Sequence, residues 1–76
     1  MNDEYEYAYS PKAGMLKILA VSNDIGDGRA VVAGRNGNRV ETWTFDRAKA
    51  SYLGNAIYVE RPIVREWVRE EQPIGQ

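Results

Sequence analysis

The chain has no cysteine and no histidine, and these two absences remove most of the chemistry open to a short protein. Without cysteine there is no disulfide, no thiolate metal cage and no sulfur nucleophile. Without histidine, a serine such as Ser22 or Ser51 lacks the usual base to take its proton. A Ser-Lys pair from Lys49 and Ser51 fares no better, because side chains two apart on a helix point in different directions. Long apolar stretches are also missing: runs such as Met15–Val21, interrupted by Lys17, fall far short of the roughly 20 residues that cross a bilayer. The first residues carry Asp3, Glu4 and Glu6 where an export signal needs positive charge followed by an apolar segment, which predicts residence in a cytoplasm.

What is present is a small, evenly mixed chain: 76 residues, 43% apolar, with 10 basic and 11 acidic side chains. A chain of that length buries only about 60% of the surface its unfolded form exposes, so it holds one core and is marginally stable on its own. The balance of charge hides a gradient. Residues 1–6 contain three acids and no base, whereas residues 7–76 contain eight acids and ten bases. Neither half is charged enough to mark a dedicated nucleic-acid binder or a DNA mimic.

Residues 1–13 contain no Val, Ile, Leu or Phe and read as a flexible acidic, tyrosine-rich tail. Met15–Val21 predicts a buried strand closed by the turn formers Ser22, Asn23 and Asp24, and the stretch NDIGDG reads as a loop. Asn36-Gly37, between RAVVAG and RVETWTF, marks a β-hairpin, with Trp43 and Phe45 on its core face. Asp46 suits a helix N-cap, residues 47–53 are good helix formers and Gly54 suits the C-terminal cap. Residues 55–60 predict a further strand. Pro62 suits the first position of a second helix that gathers Ile63, Val64, Trp67 and Val68 on one face. The expectation is a single α+β domain over residues 14–71, a small antiparallel sheet of three to four strands with one or two short helices, followed by a frayed 72–76. The alternative is a partly open, SH3-like barrel in which the helices are single turns between strands.

Few constellations suggest chemistry. Asp24 with Asp27, or Glu66 with Glu70, would be paired carboxylates, but a chain this short hardly forms a substrate cleft as well as a core. NDIGDG opens like a calcium loop and fails at the twelfth position, which is Arg35 where a glutamate is required. Gly26 and Gly28 begin a GxG, yet position 31 is valine and no βαβ unit follows. No catalytic residue, metal or cofactor is expected. Arg61, Arg65 and Arg69 recur every fourth residue and would form a helical stripe facing phosphates or an acidic protein surface, blunted by Glu66 and Glu70. Arg29, Arg35 and Arg39 bracket the hairpin and pose the same question. The tail is the most informative segment: Tyr5, Tyr7 and Tyr9 alternate with Glu6 and Ala8 after Asp3 and Glu4, a period of two that suits an extended strand. It is a docking strand for a partner, an extra strand of its own sheet, or an inert tail.

In its acidic aromatic start (MNDEYEYAYSP) and its compact hairpin-centred body (RAVVAGRNGNRVETWTF), the chain resembles the small host-takeover proteins of bacteriophages. Its character is most similar to the small phage transcription regulators that bind bacterial RNA polymerase. The resemblance lies in size, composition and layout, so it implies a kind of activity in a host cytoplasm and assigns no residue. The expected function is a non-enzymatic protein-binding regulator docked on a larger host complex such as RNA polymerase. Tyr5, Tyr7 and Tyr9 would be its anchors, Asp3, Glu4 and Glu6 its charge partners, and Arg65 and Arg69 its second contact. The alternatives are an anti-CRISPR-type inhibitor, a small nucleic-acid-binding domain built on Arg29, Arg35, Arg39 and exposed aromatics, and a homo-oligomer that gains buried surface by self-association.

Overall fold

The computed structural model describes residues 5–68, the side chains at 23 and 24 excepted. These residues form seven strands: β1 (Tyr7–Ser10), β2 (Gly14–Gly26), β3 (Arg29–Asn36), β4 (Arg39–Asp46), β5 (Ala50–Leu53), β6 (Ala56–Val59) and β7 (Val64–Val68). They join one sheet in the order β5-β6-β1-β2-β3-β4-β7. Every neighbouring pair is antiparallel except β1 and β6, which run parallel. The sheet curls so that one face lines the core: Ile57 and Val59 of β6 belong to the same buried cluster as Ala8, Leu16, Val32, Trp43 and Phe45. Each of the fully buried Leu, Val, Ile and Phe side chains among them contributes about 1.5–3 kcal/mol.

This overturns the expected α+β fold. Among the described residues the only helical element is a single 3₁₀ turn at Arg47–Lys49. Asp46 does cap it, its Oδ1 accepting the Ala48 amide at 3.1 Å, but the chain leaves the turn as β5. The helix-forming propensity of residues 47–53 yields because β6 offers a complete partner edge, Ala50 to Leu53 registering against Val59 to Ala56. Gly54, with φ +61°, opens a two-residue hairpin loop with Asn55. The expected second helix is β7. Val64, Trp67 and Val68 stay exposed there, and β4 presents Val40–Thr44 as a ladder to Val68–Val64.

The tail reading is corrected over Tyr7–Ser10, which form an interior strand hydrogen-bonded to β2 on one side and β6 on the other. Small Ala8 and Ser10 face the packed interior there and are buried, so the segment needs no large aliphatic residue. Residues 1–4 and 72–76 lie outside the described residues. The β3–β4 hairpin forms as expected, with Trp43 and Phe45 fully buried; its turn is Gly37-Asn38, since Asn36 pairs with Arg39. NDIGDG is not a loop: β2 continues to Gly26, and Asp27-Gly28, with φ +58° and +72°, make a tight turn of the I′ kind. No helix among the described residues is long and apolar enough to cross a membrane.

Candidate functional site: an outward tyrosine face

Strand register fixes which side chains share the outer face. One row runs Ala56, Tyr7, Lys17, Arg35, Val40 and Val68 across six strands. The row beside it holds Ser51, Tyr58, Tyr9 and Met15. The Tyr9 and Tyr58 rings meet edge to face, with centroids 6.1 Å apart, and remain 43% and 42% exposed, next to Met15 at 53%. A shallow groove of about 290 Å³ borders the pair, lined also by Pro11, Lys49 and Ser51. These aromatics stand on interior strands, not on a loose tail, so their positions are fixed before any partner arrives.

The inner face carries the charged counterpart. Glu41 alternates with Trp43 and Phe45 and is 3% exposed. Its Oε1 accepts the Arg65 Nε–H at 2.8 Å and the Trp43 indole N–H at 3.1 Å. Its Oε2 accepts the Arg65 Nη2 at 3.2 Å and the Asn36 amide at 3.4 Å. The Arg65 guanidinium, helped by the Trp43 indole and against the cost of burial, holds the Glu41 carboxyl below its ordinary value; the same bond raises Arg65. A carboxylate so held stays ionised at neutral pH and has no proton to give, so it is a structural acceptor and not a general acid. Beside it, Arg39 lies 4.9 Å from the ring centre of Trp67, which is 64% exposed.

The expected site residues are therefore divided. Asp3, Glu4 and Arg69 lie outside the described residues. Tyr7 and Tyr9 share the outer face, but Tyr5 precedes β1 and packs against Tyr52, ring centres 5.5 Å apart, at the margin of the core. Glu6 is exposed, and its carboxylate accepts the Asn55 side-chain amide at 3.4 Å. Arg65 is committed to Glu41 and does not stand on a helical stripe. Arg29 and Arg35 point outward while Arg39 is in register with the inward residues of β4, so the three arginines do not make one phosphate track. Tyr58 and Met15 were missed by the sequence reading, although the alternation Ile57-Tyr58-Val59 carries the signal for the former. Among the described residues no three acids, histidines or cysteines are grouped to hold a metal. No protein-family model, no curated protein and no solved structure matches the chain.

Proposed function

We propose that the protein is a non-catalytic protein-binding module whose docking surface is the outer face around Tyr9, Tyr58 and Met15. The observation that carries this reading is the exposed edge-to-face pair on two interior strands, with a methionine one strand away. Tyrosine and methionine give large, adaptable contact area and are enriched where proteins meet. Two rings set edge on form a compact apolar patch, less suited to stacking successive bases than a pair of open platforms. The partner implied by the phage-like character of the sequence is a large host complex, RNA polymerase being the specific candidate.

Deleting residues 1–10 is no test of this, since it removes an interior strand. The direct test compares the intact protein with a Tyr9→Ser/Tyr58→Ser variant for binding to purified bacterial RNA polymerase and for capture from bacterial lysate, at low and moderate salt. Salt-tolerant binding that the variant loses by tenfold or more supports the reading. Equal binding by both proteins overturns the assignment of the face. Retention of nucleic acid alone, weakening steeply with salt, moves the function to the nucleic-acid class. A mass that rises with concentration in the intact protein only would make the partner a second copy.

A further inference from the structure

We propose that the shallow surface groove bounded by Lys12, Arg61 and Arg65 is an anion site that takes a phosphoryl group. It has a volume of about 270 Å³ and is lined by Lys12, Ala13, Arg61, Pro62 and Arg65, with no acid among them. Two parts of the chain supply the cations: Lys12 in the turn between β1 and β2, and the Arg61–Arg65 segment that leads from the β6–β7 connector into β7.

Buried contacts fix the backbone on two sides of the groove. Ser10, 1% exposed, accepts the backbone amides of Lys12 and Ala13, each at 3.1 Å, and donates its hydroxyl to the Glu60 carbonyl at 3.0 Å. One hydroxyl thus ties the turn that carries Lys12 to the connector that carries Arg61. Arg65, held by Glu41 through Nε and Nη2, borders the groove in a fixed position. Charge selects the ligand class. Glu41 neutralises Arg65, and neither Lys12 nor Arg61 has an acidic partner among the described residues. Two positive charges remain, which match a phosphate monoester at about −1.5 to −2 better than a carboxylate. Guanidinium forks also suit tetrahedral oxyanions.

The test is an amide chemical-shift titration with inorganic phosphate at pH 7.5, ionic strength held constant with chloride, and acetate as the parallel arm. The expected result is a saturable shift of the Lys12, Ala13 and Arg61 amides with phosphate and a much weaker response to acetate. Lys12→Gln and Arg61→Gln should each reduce the phosphate affinity about tenfold, the loss of one charge-assisted hydrogen bond, and Arg61→Lys should lose less. Lys17→Gln on the outer face, and the Tyr9→Ser/Tyr58→Ser variant, should titrate like the parent, so this result is independent of the docking reading. Shifts that do not saturate, equal response to acetate, or undiminished affinity in both glutamine variants would each overturn the proposal. Both side chains are exposed, and unchanged thermal midpoints show that the variants remain folded.

Discussion

The buried Glu41 cluster and the exposed Tyr9–Tyr58 pair invert the usual distribution of residues in opposite ways. One places a carboxylate in the interior; the other places aromatic rings in water. The interior inversion is answered within the chain, because Arg65, Trp43 and Asn36 supply donors to both carboxylate oxygens. The outer one is answered only by the rings themselves, and 43% and 42% of their surfaces stay open. An inversion that the fold compensates internally is a structural device, whereas one left open is available to something else.

Arg65→Met separates the two cases most sharply. It leaves Glu41 buried with only neutral donors and should cost about 2–3 kcal/mol, less than a fully buried pair because Arg65 is half exposed. Urea denaturation at pH 7 measures this. The effect should also depend on pH with a definite sign. Glu41 titrates below its ordinary value in the folded protein, so its stabilising contribution is present in full above about pH 4.5 and is lost as pH falls through the folded value. The difference in stability between parent and Arg65→Met should therefore narrow as pH falls below about 4.5 and through the folded value. A constant difference would show that Arg65 acts through packing alone.

Trp43→Phe is the milder probe of the same region. It removes one donor to Glu41 and part of a fully buried side chain, and should cost about 1–2 kcal/mol by thermal or urea unfolding. The Tyr9→Ser/Tyr58→Ser variant should lose less, about 1 kcal/mol and mainly the ring-pair energy, while losing partner binding. If it instead unfolds as readily as Arg65→Met, the outer face belongs to the stability of the sheet and the contrast fails.

Some of this was legible in the residues. The Asn-Gly turn signal and the alternation through RVETWTF locate β3, β4 and the buried Trp43 and Phe45. The same alternation puts Glu41 inward, yet its partner comes from a strand 24 positions further on, and no local pattern announces that pairing. The two helices failed for a shared reason. Residues 47–53 and 62–68 have acceptable helical spacing and caps, but each finds a strand edge elsewhere in the chain, β6 for the first and β4 for the second, and ladder pairing outweighs a propensity of a few tenths of a kcal/mol per residue. Asp27-Gly28 and Gly54-Asn55 were hairpin turns read as a loop and a cap. In the N-terminal segment the period of two was correctly strand-like, and the lack of aliphatics concealed an interior strand whose inward residues are small.

The parallel pairing of β1 with β6 also sets the order in which the molecule can be completed. Tyr7 to Tyr9 have their second neighbours at Ala56 to Tyr58, about 49 positions further along the chain. A nascent chain that ends before β6 therefore holds its first strand with one side unpaired, and with the Ile57 and Val59 layer of the core still absent. Folding must be late and cooperative, dominated by contacts distant in sequence, and slow for a protein of this size. A newly made copy spends its interval on the ribosome with an open strand edge beside its tyrosines, the interval in which premature association is easiest.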